Sequence, residues 1–198
     1  MKRLHAVGIG LLLAVFLTQN AFAAARDWEL DSVHSNIYFS IDHIFSKIRG
    51  HFNTFTAKVN FDPANLQESR FYFEIKVDSI DTNNPKRDRD LLSAKFFDAG
   101  QYPLITFTSK TITASGNGVY TVAGVLTIKG KTFELTLPLS LAGIKDHPAV
   151  PGKLVAGFNG KITVDRLNLG VGDGVLYKKG IVGKDVAVLV SLEALSSK

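Results

Sequence analysis

Alternation of apolar and polar side chains along several long runs is the feature that most restricts the fold of this sequence. In residues 36–42 an apolar side chain occupies every second position, and residues 54–61 and 70–77 repeat the pattern. Successive side chains of a β-strand point to opposite faces, so a period of two is typical of a strand with one buried face. The sequence therefore predicts sheets whose strands are apolar on one side and polar on the other.

About eight such runs follow one another, mostly separated by short turn segments. At residues 129–131 the sequence Lys-Gly-Lys separates two of them, as in a tight hairpin. Several runs are longer than the usual strand, and long strands favour a tall closed barrel over a sandwich because closure removes exposed edges. The pattern predicts an all-β fold of about eight strands, either an antiparallel barrel or a sandwich, and strand length favours the barrel. Such a barrel is either filled by its own side chains or holds one ligand, and alternation alone does not separate the two.

One segment, residues 84–97, breaks the alternation. Asn84 is a favourable N-cap, and Pro85 suits the first turn of a helix, where its missing N–H is not needed. Leu92 and Phe96 are four residues apart and therefore share one face of a helix. We predict one short helix over about residues 85–97 that covers the barrel.

The first 23 residues have the pattern of a secretory signal peptide. Basic residues near the start precede an apolar run at residues 7–17, and Ala-Phe-Ala at residues 21–23 fits a cleavage site. The apolar run is shorter than the roughly 20 residues that span a bilayer. We expect cleavage after Ala23, or after Ala25, and a secreted or periplasmic protein. Residues 24–198 then form a single domain, because no shift in composition divides them.

Composition narrows the classes of function. The chain has no cysteine, which excludes disulfides and a lipid-modified N-terminal cysteine. The formal net charge of +5 falls to about +3 without the signal peptide, and bases alternate with acids at residues 86–90. Nucleic-acid binding needs a clustered basic surface, so no nucleic-acid partner is expected. A transient contact with an anionic membrane surface is compatible with this charge.

Histidine and serine residues early in the mature chain are the first candidates for chemistry. His34, His43 and His51 lie within 18 residues, but their offsets of nine and eight place them on no common strand face, so no metal site is predicted. His34 is instead expected to be a hydrogen-bonded residue at a strand start. Ser35 faces away from His34 on a strand, and no Gly-x-Ser-x-Gly motif is present. No catalytic residue is expected.

Several motifs occur along the chain in an order known from one protein family. Residues 31–35 (Asp-Ser-Val-His-Ser), His43 and residues 50–52 match a D-x-x-H-S … H … G-x-F opening. Residues 79–109 match a central signature, and residues 124–132 match a G-x-L-T-I-x-G-x-T hairpin. Over nearly all of the mature chain, the sequence thus resembles the YceI-like family of lipid- and polyisoprenoid-binding proteins.

The resemblance implies an eight-stranded, lipocalin-like antiparallel barrel whose apolar pore holds an isoprenoid chain, such as that of a polyprenyl lipid or an isoprenoid quinone. It also implies a secreted or periplasmic protein that is often a homodimer, with no cofactor besides the bound lipid. Two positions depart from the family pattern. Asp90 replaces a common histidine, and Asn168 and Leu169 replace an aspartate-phenylalanine pair.

We therefore expect a tunnel lined by inward-facing apolar residues. Burial of a hydrocarbon contributes about 0.8 kcal/mol per CH₂, so an apolar tunnel can bind a lipid tightly. The predicted pore residues are Ile37, Phe39, Phe55, Phe71, Phe73, Phe107, Phe133, Leu137, Phe158 and Val188. The polar motif residues are His34, Ser35, His43, Arg87 and Asp88, of which the last two are expected to fasten the helix to the barrel.

The predicted function is non-catalytic binding, sequestration or transport of a long isoprenoid lipid. Two alternatives stay open. One is an enzyme that acts on a lipid or quinone in the same pocket, for which His34 and His43 would converge at the barrel mouth. The other is a stress-related, partner-binding barrel with no ligand, a filled interior and a large exposed apolar patch.

Overall fold

The computed structural model describes residues 24–198, and the predicted signal peptide, residues 1–23, lies outside this part of the chain. The strands are β1 (Asp27–Leu30), β2 (Asn36–His43), β3 (Ser46–Phe52), β4 (Phe55–Asn60), β5 (Arg70–Lys76), β6 (Ile80–Asp81), β7 (Leu104–Gly116), β8 (Val119–Ile128), β9 (Lys131–Asp146), β10 (Lys153–Asp165) and β11 (Val182–Ser197). The helices are α1 (Pro85–Leu92) and α2 (Val175–Lys178), with one 3₁₀ turn at Val77–Ser79.

Eight strands close into a ring in the order β1, β4, β5, β7, β8, β9, β10 and β11, and β11 pairs back onto β1. All of these pairings are antiparallel. The all-β, eight-stranded antiparallel barrel predicted from the sequence and its family resemblance is confirmed. Because the ring is closed, each of its eight strands pairs with a neighbouring strand on both sides over at least part of its length.

Strand β11 has two partners on the same side, one after the other. Near its end Leu195 pairs with Glu29 of β1, whereas earlier Val188 pairs with Phe39 of β2. Strand β2 then pairs with β3, and β3 with β6. The barrel therefore has a β1–β4 end and a β2–β3–β6 end, and the two differ in what they enclose.

Aromatic side chains fill the β1–β4 end. Phe61 packs edge-on against Tyr120 and Phe158, with ring centroids 5.0 and 5.2 Å apart. Phe71 packs against Phe61 with a tilted ring and meets Phe158 edge-on, and Phe61, Phe71 and Phe158 are almost completely buried. The indole N–H of Trp28 donates to the carbonyl oxygen of Phe61 at 2.9 Å, which satisfies the buried donor. This end of the barrel is a packed core.

Helix α1 begins as predicted and ends early. The Asn84 side chain accepts hydrogen bonds from the backbone N–H groups of Lys86 and Arg87, and Pro85 occupies the first turn. The helix stops at Leu92, not near residue 97, because Ser93 adopts an extended backbone and its hydroxyl donates to the Asp90 carbonyl at 2.6 Å. The residues that follow form turns.

The glycine-rich link after β10 contains a helix that the sequence pattern did not predict. Gly174 precedes α2 with φ of +79°, a left-handed conformation that glycine adopts without steric cost. Asp173 accepts a hydrogen bond from the N–H of Val175 at 3.0 Å and so caps the start of the turn. The link is thus ordered into one helical turn at the β2–β3–β6 end.

Candidate ligand-binding site

A cavity of about 660 Å³ occupies the barrel interior at the β2–β3–β6 end. This volume lies within the range of small-molecule sites, roughly 300–1,000 Å³. Aliphatic and aromatic side chains form most of its wall, because the inward positions of the strands around it are apolar. Six predicted pore residues line it, namely Ile37, Phe39, Phe73, Phe107, Leu137 and Val188.

The other four predicted pore residues lie elsewhere. Phe71 and Phe158 are 1% exposed and belong to the packed core at the opposite end. Phe55 packs against that same core, and Phe133 packs against a smaller cluster around Ile128. Phe71 and Phe158 point away from solvent as the alternation predicts, and Phe55 and Phe133 are half-buried, but none of the four is among the residues that line the cavity. For Phe71 and Phe158 the reason is position along the barrel axis, which alternation does not report.

An aromatic row forms one wall of the cavity. The rings of Phe39 and Phe52 lie with centroids 5.6 Å apart, and Phe97 meets Phe52 edge-on at 6.4 Å. Gly50, opposite Phe39 on β3, makes room for this row, because a Cβ atom there would lie 2.5 Å from Cζ of Phe39. The family-like glycine at this position therefore has a steric reason.

Two segments outside the strands complete the lining. The segment of α1 and the turns after it contributes Leu91, Phe96 and Phe97, and the link after β10 contributes Val171 and Leu176. The four-residue spacing of Leu92 and Phe96 in the sequence had indicated that the first segment presents an apolar face to the barrel. In the second, apolar residues are scattered among glycines without a period, so the sequence carried no comparable signal.

Arg87 and Asp88 fasten α1 to the end of β6 through one residue, Thr82. The Thr82 N–H donates to a carboxylate oxygen of Asp88 at 3.0 Å, and the Thr82 hydroxyl donates to the same oxygen. Arg87 Nε donates to the Thr82 hydroxyl at 2.7 Å, and Nη2 donates to the Thr82 carbonyl at 2.6 Å. Thr82 is 3% exposed and lines the cavity, so the helix is anchored at the cavity wall.

Charged groups gather at this end of the cavity. Arg166 lines it, is 7% exposed, and donates from Nε to Gly183 and from Nη1 to Val171, both backbone carbonyls. Burial lowers the pKa of the Arg166 guanidinium. Lys95 and Asp90, the position that departs from the family pattern, are exposed lining residues. These exposed lining groups mark where the cavity meets solvent.

The structure separates the two histidines that a catalytic pair would need. His43, at the end of β2, lines the cavity, whereas His34 precedes β2, which is roughly 23 Å long at 3.3 Å per residue. Ser35 is buried and exchanges hydrogen bonds with the backbone of Glu193. The convergence of His34 and His43 expected for an enzyme is therefore absent from this arrangement.

His34 has a local partner, as expected for a histidine at a strand start. Its Nδ1 lies 2.8 Å from a carboxylate oxygen of Asp31, which raises the pKa of His34 and lowers the pKa of Asp31. Asp31, His34 and Glu193 offer oxygen and nitrogen atoms that all lie within 4.8 Å of one another. Asp31 already accepts from His34 and from backbone N–H groups of the same loop, so its role here is to hold that loop.

None of the helices within residues 24–198 is long and apolar enough to cross a membrane.

Comparison with known proteins places these features in context. The family model described as the YceI-like domain matches residues 28–194. A UPF0312 protein of Vibrio cholerae is 32% identical over 173 residues, which are 86% of this chain and 88% of that protein. The crystal structure of BcnA from Burkholderia cenocepacia is similar with a TM-score of 0.74 and 29% identity, over 83% of this chain and 99% of that one.

A more distant structure shares the fold. It is described as a polyisoprenoid binding domain from Saccharophagus degradans implicated in plant cell wall breakdown. The TM-score is 0.60 at 12% identity, over 87% of this chain and 99% of that one. At this identity the likeness concerns the barrel alone.

Proposed function

Because the chain belongs to the YceI-like family and its barrel is hollow at one end, we propose that it binds a long isoprenoid lipid in the cavity. The ligand class is a polyprenyl lipid or an isoprenoid quinone. In this proposal the protein sequesters or carries the lipid, and no bond of the ligand is made or broken. The protein is exported, with the lipid moving through an aqueous compartment inside the barrel.

The cavity is the observation that carries the proposal. Its wall is made mostly of apolar side chains, and its inner end is sealed by the aromatic core. A hydrocarbon that enters loses its contact with water over most of its length, which favours binding by about 0.8 kcal/mol for each CH₂. An apolar, one-ended pocket selects for chain length and flexibility more than for polar groups.

The polar groups at the open end suit a ligand with one polar head. Arg87, Asp90 and Lys95 line the cavity together with the buried guanidinium of Arg166. A ligand whose tail points toward the core would place its head group among these residues. Isoprenoid lipids and quinones have this shape, with one apolar tail and one polar end. The named binding activity of the Saccharophagus degradans domain supports the same ligand class.

Organic extraction of the purified protein tests the proposal. Mature protein from native expression is extracted, and the extract is analysed by mass spectrometry for isoprenoid lipids and quinones. We expect a stoichiometric isoprenoid of unaltered mass, or uptake of an added isoprenoid by protein that has been emptied. Absence of both would contradict binding, and a chemically modified isoprenoid that accumulates with time would contradict a non-catalytic role.

A further inference from the structure

Exposed apolar side chains surround the cavity end of the barrel. We define the apolar rim as Ile44 and Phe45, at the tip of the β2–β3 hairpin, with Val175 and Tyr177 of α2. We propose that the apolar rim docks on the surface of an anionic lipid bilayer. This inference deepens the proposed function and rests on it in one respect, since a bilayer is where an isoprenoid lipid resides.

The hairpin tip exposes two apolar residues whose side chains are largely outside the packed interior of the barrel. Ile44 and Phe45 form a two-residue loop, because His43 and Ser46 on either side of it are paired. Phe45 is completely exposed and Ile44 is 57% exposed. Ile44 has φ of +50°, a left-handed conformation that is unfavourable for a β-branched residue. Glycine, asparagine or aspartate is usual at such a position.

The tip and α2 are joined, so the apolar rim is one surface. The N–H of Ile44 donates to the carbonyl of Ile181 at 3.0 Å, just after α2. Within α2, Val175 and Tyr177 are exposed by 42% and 43%. Leu176, between them, lines the cavity instead. The same helical turn therefore faces the ligand site on one side and the surroundings on the other.

Basic residues adjoin the apolar rim. Lys178 and Lys179 follow Tyr177 and are exposed. Within residues 24–198 neither has a carboxylate at ion-pair distance, whereas Lys47, in the hairpin, is paired with Asp42. Unpaired lysines beside exposed aromatic and aliphatic side chains complement an anionic lipid surface.

The shape and size of the apolar rim favour a bilayer over a protein partner. A stable protein interface usually buries on the order of 800 Å² on each side. The apolar rim has only four residues, and Phe45 projects from a hairpin tip into open surroundings. A projecting aromatic side chain can enter the boundary between head groups and acyl chains without a matching pocket. Docking there would bring the cavity mouth to the lipid phase.

Vesicle flotation with the mature full chain tests this. Vesicles of phosphatidylcholine alone are compared with vesicles of equal parts phosphatidylcholine and phosphatidylglycerol. We expect binding to the anionic vesicles that weakens as salt is raised, because lysine attraction is screened. Phe45→Ser should lower the affinity by about tenfold, since an aromatic side chain no longer enters the apolar phase.

A matched control lies at the other end of β2. Val33 is 81% exposed and precedes β2, so Val33→Ser removes a similarly exposed apolar residue far from the cavity mouth. It should bind vesicles like the wild type. Ile44→Asn keeps the turn but relieves its strain, because asparagine tolerates a positive φ. It should keep or raise the thermal unfolding midpoint while weakening vesicle binding, which separates docking from folding.

Three outcomes would overturn the inference. The first is that Val33→Ser and Phe45→Ser lower vesicle binding equally. The second is that both tip variants, Phe45→Ser and Ile44→Asn, bind vesicles like the wild type. The third is that the wild type self-associates without binding vesicles and that Phe45→Ser abolishes this self-association. Uptake of an isoprenoid from detergent solution is measured in parallel. If Phe45→Ser takes up the lipid normally and binds vesicles normally, docking fails and the proposed function stands. If neither the wild type nor any variant takes up the isoprenoid, the proposed function fails, whatever the result for vesicle docking.

Discussion

Phe39 and Phe158 show how residues in equivalent strand positions acquire different roles. Both occupy inward positions in alternating strands. Phe158 is 1% exposed and packs edge-on against the rings of Phe61 and Phe71, whereas Phe39 is half-buried and borders the cavity. The same chemical group therefore belongs to the packed core in one place and lines the cavity in the other.

Alanine substitutions should separate these two roles. Phe158→Ala should lower the free energy of unfolding by about 3–5 kcal/mol, because it opens a void in a packed core. Phe39→Ala should cost roughly half of that or less, because its ring has contacts on fewer sides. Urea unfolding of the two variants measures the difference. Equal losses would contradict the distinction between the packed end and the hollow end.

His34 and Asp31 should give the protein a small pH-dependent contribution to stability. Their hydrogen bond raises the pKa of His34, so the stabilisation is complete below the unfolded value of 6.5 and is lost as pH rises through the folded value. The same bond lowers the pKa of Asp31, so its contribution is lost as pH falls through that lowered value.

His34→Gln is the variant that tests the pair. The difference in free energy of unfolding between wild type and variant should be larger at about pH 5 than at about pH 9, because only the protonated imidazole carries a charge. Urea unfolding at several pH values measures it. A difference that does not change between these pH values would show that the charge of His34 contributes nothing.

At the scale of elements, helix α1 is held mainly by polar contacts. Within it no residue is fully buried, although Leu92 and the following Phe96 and Phe97 pack against a small apolar cluster. Thr82 provides the hydroxyl, N–H and carbonyl that Arg87 and Asp88 use. One residue, Thr82, thus links α1 to the barrel through both its side chain and its backbone.

Thr82→Val should loosen α1 while leaving the barrel closed. Loss of the hydroxyl removes a donor to Asp88 and an acceptor for Arg87 in a buried site, which costs about 1–3 kcal/mol. Hydrogen exchange of residues 84–92 should become faster, more than exchange in the ring strands. Thr163→Val, on an exposed position of β10, is the control and should change stability by less than about 0.5 kcal/mol. Unchanged exchange in α1 would show that other contacts hold it.

At the scale of the whole molecule, the barrel combines a packed end with a hollow one. The packed aromatic core can supply stability without disulfides, in a chain that has no cysteine. Under the proposed function, stability and ligand binding depend on different layers of side chains. A substitution in the hollow layer can change ligand capacity without loss of the fold.

Val188→Trp should block the cavity. Val188 lies inside, between Phe39 and Ile162 of the neighbouring strands, and tryptophan would occupy space that the ligand needs. We expect several-fold less isoprenoid in the solvent extract than from the wild type. Leu189→Trp is the matched control, because the next residue of the same strand is 44% exposed. Equal lipid content in both variants would place the ligand outside this cavity.

Local chemistry in the sequence determined eight of the strands (β2, β4, β5 and β7 to β11), the face that each of them buries and the start of α1, but it did not indicate β1, β3 or β6. Alternation and N-capping act between residues close in the chain, so they can be read without the fold. The family-like motifs added the eight-stranded barrel and the ligand class that we propose. They did not indicate where α1 ends or that the glycine-rich link forms α2.

Only the tertiary structure decided which inward residues form a core and which line a cavity. Depth along the barrel depends on register between strands far apart in sequence, such as Glu29 opposite Leu195. The split pairing of β11, first with β2 and then with β1, creates the two ends. Phe71 and Phe158 lie in one end and Phe39 in the other because of this pairing, although their local patterns are alike. Alternation reports the face of a strand, and only strand register reports the layer.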